Sequence, residues 1–252
     1  MNRTLIMAVF ALCLVFLPWQ KSFAGDLAVE IASEHIDVTV GFTGSSIELF
    51  GDRRNAEADI AIVVEGPRKE ITVWQKARVM GTWINRYYMT FENMPVYYNY
   101  ATTIDGDVDD KLDLIMRHNG IGHMALFSSL DVRKSGSVID AKPFQDALLR
   151  KKQAKGVYFP KAADIKFLND HFFRVSFEIP ASALTGEYKI HSYLIEDGRV
   201  SEKTINILKV EQVGVNAFVY GLANNYSFAY ALICIIFGLF SGWFSSVVRV
   251  RP

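Results

Sequence analysis

Cysteine is nearly absent from this chain. Of 252 residues only Cys13 and Cys234 are cysteine, and residues 25 to 212 contain none. That stretch can form no disulfide, thiolate metal site, CxxC redox pair or cysteine nucleophile. Its stability must come from hydrophobic burial, and about 190 residues are enough for one or two cores. An excess of either charge is also missing, since 27 basic side chains face 27 acidic ones. This balance gives no electrostatic reason to expect nucleic acid as a partner. The run Arg150-Lys151-Lys152 is short and reads as the cationic last turn of a helix.

Catalytic signatures are missing too. The chain has no GxSxG, SxxK, Walker A, HExxH or HxH pattern. His118 and His123 flank the turn Asn119-Gly120-Ile121-Gly122, and His35, His171 and His191 stand singly, so any metal site would need distant histidines to converge. Asp105-Gly106-Asp107-Val108-Asp109 begins like a calcium loop. It then has Asp110 where a glycine must turn the chain and Met116 where a bidentate glutamate is needed. An acidic helix N-terminus is the plainer reading. The expectation is a protein without catalytic residues, metal or cofactor.

Charge is absent altogether from Gln212 to Val248. Within that run, Phe228 to Val248 as a helix of ~1.5 Å per residue would be about 31 Å long, the thickness of a bilayer's hydrocarbon. Residues 1 to 24 read as a secretory signal. Arg3 is the positive start, Leu5 to Leu17 the apolar stretch, and Ser22-Phe23-Ala24 the cleavage motif, with cutting after Ala24. An uncleaved N-terminal anchor is the alternative. Removing the signal takes away Arg3 and Lys21 and no acid, so residues 25 to 252 carry 25 basic and 27 acidic side chains. Arg249 and Arg251 follow the C-terminal run, and the positive-inside rule puts them in the cytoplasm. The expected topology is a single-pass bacterial inner-membrane protein with residues 25 to 212 in the periplasm. In the span, Cys234, Gly238, Gly242 and Ser246 recur every four residues and include a GxxxG. Such a stripe lets a second helix approach closely, from another copy or a different membrane protein. Glycine and serine are also common in such helices without pairing.

The exported part alternates apolar and polar residues over short runs: 27–32, 35–42, 46–51, 59–66, 70–79, 83–92 and 96–103. Thr43-Gly44-Ser45, Gly66-Pro67 and Asn93-Met94-Pro95 separate some of them. The spacing predicts a mainly β fold of immunoglobulin-like antiparallel sandwich type. Residues 107–118 and 144–155 have helical spacing, and 124–132 fits a strand or a short helix. Strand patterns return at 172–179, 187–196 and 199–210, with Asp197-Gly198 as a hairpin turn. This divides the chain into a signal at 1–24, a β module at 25–104, a second β module with a helical insertion at 105–212, and a membrane-proximal segment, span and tail at 213–252. One larger sandwich with inserted helices is the alternative.

Several stretches together resemble a known family. They are His35-Ile36, Gly41-Phe42-Thr43-Gly44, Leu49-Phe50-Gly51, Asp59 through Gly66-Pro67, and Gly81-Thr82-Trp83-Ile84-Asn85-Arg86. Phe91 through Pro95, Tyr98, Pro180 through Tyr188, and Gly242-Trp243 follow in order. The chain resembles the alphaproteobacterial putative transmembrane protein family, over nearly all of its length after the signal. The resemblance implies a signal peptide, an exported domain and one C-terminal span, and it carries no activity to transfer. It also implies an accessory role beside a sulfite- or sulfonate-exporter-type permease.

The aromatic cluster Trp83, Tyr87, Tyr88, Phe91, Tyr97, Tyr98 and Tyr100 has two readings. It lines a partner or ligand surface, for which Trp83, Asn85, Arg86, Tyr87 and Tyr98 are the candidates. Or it forms the core and edges of the sandwich. The expected function is non-enzymatic: a membrane-anchored periplasmic subunit that binds a transporter or envelope assembly. A periplasmic ligand- or metal-binding protein is the alternative. A reporter active only in the periplasm should work when inserted at Asp197-Gly198; activity of a cytoplasm-only reporter there would reject this topology.

Overall fold

The structure is a computed structural model and describes residues 25–104, 110–128, 132–134 and 140–249. The strands before the first helix are β1 (Leu27–Ile31), β2 (His35–Val38), β3 (Gly44–Arg53), β4 (Asp59–Glu65), β5 (Arg68–Val79), β6 (Thr82–Pro95) and β7 (Tyr98–Thr102). Next come α1 (Asp110–His118), α2 (His123–Ser128), β8 (Val132–Lys134) and α3 (Lys142–Ala154). The chain continues through β9 (Ile165–Phe167), β10 (Phe172–Pro180), β11 (Gly186–Glu196), β12 (Arg199–Gln212), α4 (Val215–Asn225) and α5 (Ser227–Arg249). The expected signal with its Ala24 site, and Asp105–Asp109, lie outside the described residues.

The fold is mainly β, as its alternation implied. One sheet has the order β1-β3-β10-β9 and a second β2-β12-β11-β4-β7; all their ladders are antiparallel except the parallel β2–β12 pair. In β10, Phe173, Val175, Phe177 and Ile179 are buried while the residues between them face out. They meet Ile60, Ile62, Val64 and Ile190 of the second sheet in one core. Strand β3 pairs with β10, and β4 with β11. The boundary at 104/105 therefore does not divide the sheets: strands from both sides of it hydrogen-bond to each other and share a core. In sequence, the helices α1, α2 and α3 are inserted between strands that share these sheets.

Strand β4 is buried on both faces, and only Asp59 of its residues is partly exposed. Its Ala61, Val63 and Glu65 share a face with Tyr193, His191 and Lys189 of β11 and with Thr102, Tyr100 and Tyr98 of β7. The inserted helices cover that face: Ile121 and Leu126 belong to the same core, as do Phe144 and Leu148 of α3. Pro143 in the first turn of α3 and Gly156 beyond its end give that helix the limits its sequence implied.

Three expectations change. Strand β2 ends at Val38, and Val40 is solvent-exposed in a turn closed by the Phe42 N–H donating to Thr39 O. Among the described residues its ladder partner is β12, which ends at Gln212 opposite Val38 and so offers residues 39–42 no continuation. Asn93-Met94-Pro95 is not a separator but the end of β6, where Asn93 takes φ 53° at an irregularity in the ladder. Of the ambiguous stretch 124–132, residues 124–128 lie in helix α2 and Val132 opens β8.

Gly51 lies opposite Phe173 in the β3–β10 ladder, and an added Cβ would stand 2.2 Å from that buried ring. At Gly41 an added Cβ would meet nothing within 4 Å. Gly51→Ala should therefore cost about 1–3 kcal/mol of stability through overpacking, and Gly41→Ala should stay within about 0.5 kcal/mol. Chemical unfolding of the detergent-solubilised chain measures both, and equal midpoints would contradict the packing described.

Candidate functional site

Strands β5 and β6 form a long ribbon that continues beyond the sandwich, with β8 added at its base. The proximal half is rooted. Met89 and Phe91 are buried, Ile71 and Val73 pack against the core, and the Thr72 and Thr90 hydroxyls are 2.9 Å apart. Arg133 of β8 ties the base by pairing with both Glu70 and Glu92. The distal half leaves the core and exposes its apolar side chains. Trp74 is 51% exposed, Trp83 65%, Ile84 44% and Met80 fully.

Cross-strand pairing sorts these side chains. Trp74 stands opposite Tyr88 with ring centroids 5.1 Å apart, Lys76 opposite Asn85, and Arg78 opposite Trp83. Arg86 is the extra residue of the bulge between Gln75 and Lys76, and its guanidinium lies 5.3 Å from the Tyr87 ring centroid. The tip is the two-residue turn Met80-Gly81, with φ of 49° and 86°. Residues 74 to 88 contain Lys76, Arg78 and Arg86 and no acid. Of the sequence candidates, the structure brings Trp83, Asn85, Arg86 and Tyr87 together on this arm.

It does not bring Tyr98 there. Tyr98 is wholly buried under the helices, against the expectation of a surface role. Its hydroxyl donates to Gly120 O at 2.6 Å and accepts from the Gly122 N–H at 2.8 Å, so it holds the α1–α2 turn down on the sheet. Burial pushes this phenol well above its ordinary range. Past Pro95 the two chains stay paired, the Val96 N–H donating to Pro67 O and the Gly66 N–H to Tyr97 O, and β7 carries Tyr98 into the sandwich opposite Glu65. Sequence reasoning missed Trp74, Met80 and Ile84 as surface residues. The available signal was a two-residue Met-Gly turn between two strand patterns.

The stripe residues Cys234, Gly238, Gly242 and Ser246 all lie in α5, and an added Cβ at Gly238 or Gly242 meets nothing within 4 Å. Ser227–Val247 is 21 residues long with mean hydropathy 1.9, and none of its most apolar window is buried.

A polar recess of about 320 Å³ lies where helix turn and sheet meet. Its walls include Glu65, Arg68, His118, His191, Tyr193 and Lys203. Arg68 is bound to Glu65 at 2.6 Å, and Lys203 lies over the Tyr193 ring at 5.1 Å from its centroid. Desolvation lowers the His191 pKa, against the pull of Glu65, and its Nδ1 is buried without a partner. Among the described residues no group of three or more His, Cys, Asp or Glu is arranged to hold a metal ion.

His123 sits between the Tyr98 and Tyr100 rings, 5.8 and 5.5 Å from their centroids. Desolvation lowers its pKa, outweighing a hydrogen bond with the Phe159 backbone, and its Nε2 has no partner. The fold therefore favours neutral His123 and His191, whereas the unfolded chain takes up protons near about pH 6.5. Stability is full above that pH and falls as pH drops through and below it. The thermal midpoint of the solubilised chain should decline from pH 7 to pH 5. His123→Phe, which keeps the ring packing, should flatten the decline; an unchanged slope in that variant would refute the assignment.

No curated protein matches the chain. A chain from a solved structure entitled "Structural basis of T cell specificity and activation by the bacterial superantigen toxic shock syndrome toxin-1" aligns at 6% identity, with 74% of this chain and 99% of that one covered and a TM-score of 0.26. A family model described as putative transmembrane protein matches residues 26–251. With a mainly β domain and one long apolar C-terminal helix in place, the chain belongs to that putative transmembrane protein family.

Proposed function

We propose that this is a non-enzymatic accessory protein, held in the inner membrane by Ser227–Val247, whose periplasmic β-domain works beside a membrane-protein partner. A transporter is the partner class, and a permease of sulfite- or sulfonate-exporter type is the one the family resemblance suggests. The observation that carries this reading is display of apolar surface at two separate places. The span and the distal arm both leave large apolar side chains uncovered, and soluble monomers rarely do so. An anchor raises the effective concentration of the domain at a membrane partner. Trp, Tyr and Arg on the arm are the residue types that dominate contact energetics. The stripe of Cys234, Gly238, Gly242 and Ser246 offers the partner helix a close approach.

The polar recess favours a second reading, a ligand-binding protein. Arg68, Lys203 and two histidines against Glu65 suit a small anion. The recess would act within the same anchored domain.

The membrane contact is tested in the span. Gly242→Ile should hold the partner backbone away and cost about 1–2 kcal/mol of association. Leu239→Ile adds no bulk and lies off the stripe, so it should be nearly neutral, and both variants stay apolar enough to insert. Association is read in a bacterial membrane reporter, with the chain itself and with candidate permeases. Equal behaviour of the two variants with every partner would reduce the span to a plain anchor.

A further inference from the structure

We propose that the β5–β6 arm is a second membrane contact, which seats its tip among anionic phospholipid headgroups and so sets how the β-domain stands on the bilayer. This rests on the reading that Ser227–Val247 is inserted in a membrane.

The first support is the choice of residue at the tip. Met80 is fully exposed, and its φ of 49° lies in the left-handed region that disfavours ordinary side chains. Two-residue hairpin turns of this kind prefer Asn-Gly or Asp-Gly. The same chain follows that preference at its other tight hairpin, where Asp197-Gly198 has φ of 49° and 64°. At Met80 a flexible apolar side chain occupies the most exposed point of the arm, and nothing within the fold covers it.

The second support is the mixture of chemistry near the tip. Arg78 stands opposite Trp83 and Lys76 opposite Asn85, with Ile84 between them opposite Ala77. Arg78 and Lys76 lie ~7 and ~13 Å behind Met80 for ~3.3 Å per strand residue. Trp74 and Tyr88 are ~20 Å back by the same measure. A bilayer interface takes this mixture in one layer, where Trp sits at headgroup level beside phosphates that attract Lys and Arg. Among the described residues no carboxylate pairs with Lys76, Arg78 or Arg86, whereas the acids at the base, Glu70 and Glu92, are both taken by Arg133. Cations without acids select an anionic surface, and each contributes through the leaflet's negative potential.

The third support is reach. Only residues 213–226 separate β12 from the span, and α4 takes up most of them. Eleven helical residues measure ~16 Å, so the domain is confined near the lipid that the span enters.

The test uses the full chain reconstituted in vesicles and reads lipid contact at single tryptophans. The chain has Trp19, Trp74, Trp83 and Trp243; replacing three by phenylalanine isolates the fourth. In vesicles of phosphatidylcholine and phosphatidylglycerol with brominated acyl chains, Trp83 should be quenched at least twofold and blue-shifted. Trp74, farther from the tip, should change little. Quenching of Trp83 should fall by half or more in pure phosphatidylcholine and after Lys76→Gln, Arg78→Gln and Arg86→Gln together. Met80→Asn suits the turn and keeps the fold, yet should also weaken it. Trp243 quenched with Trp83 no more quenched than Trp74 overturns the proposal alone, leaving the arm as a contact for protein. An unquenched Trp243 overturns the anchoring reading and this proposal with it.

Discussion

The structure depends on burial of strand β4 from both sides. Ile60, Ile62 and Val64 face the four-stranded sheet, while Ala61, Val63 and Glu65 face the helical layer. Full burial of a valine or isoleucine contributes roughly 1.5–3 kcal/mol, so this one strand anchors two layers at once. The sandwich could form with β4 covered on one side only. The second cover brings the inserted helices against the sheet, and it forces that face to accommodate aromatic residues with polar ends.

The tyrosines of that face solve the problem by a consistent device. Tyr98, Tyr158 and Tyr193 bury their rings and reach main-chain groups with their hydroxyls. Tyr98 meets Gly120 and Gly122, Tyr158 donates to Pro95 O at 2.7 Å, and Tyr193 donates to Asn119 O at 3.3 Å. Tyr97 does the same on the sandwich side, donating to Glu178 O at 2.7 Å. An unpaired buried hydroxyl would cost about 1–3 kcal/mol, so the Tyr98 and Tyr193 contacts fix where the turn between α1 and α2 sits. Lys152 is drawn into the same layer, where its ammonium donates to Val96 O at 3.2 Å and burial lowers its pKa to about 8, with Lys155 adding to the effect. Desolvation likewise lowers the pKa of His123 against its Phe159 backbone hydrogen bond and that of His191 against Glu65.

The arm inverts this logic. Its root obeys the core, with Met89 and Phe91 inside and ion pairs around the base. Past Tyr88 the ribbon has backbone pairing and cross-strand contacts but no second layer. An isolated two-stranded ribbon is marginal in water, so the Trp74–Tyr88 ring pair and the rooted half carry it. The apolar groups beyond are surplus to folding. They are intelligible in a chain that also carries a 21-residue apolar helix, since both features expect a non-aqueous or protein surface.

The sequence by itself determined the elements that local physics governs. Period-two alternation marked β10, β11 and β12, the Asp-Gly pair marked their hairpin, and an uncharged run marked the C-terminal helix. It also excluded disulfides and thiolate sites from residues 25 to 212, which leaves hydrophobic burial as the source of stability. The tertiary structure decided which strands pair: β3 with β10 and β4 with β11 lie more than a hundred residues apart, and no local pattern encodes such partners. It also decided that Val40 has no ladder to join, since β12 stops first. The aromatic cluster shows the division most clearly. Trp83 and Tyr98 read alike in sequence, both aromatic in strand patterns. One stands on a ribbon with no layer over it and the other beneath a helical turn, and only long-range packing distinguishes the two.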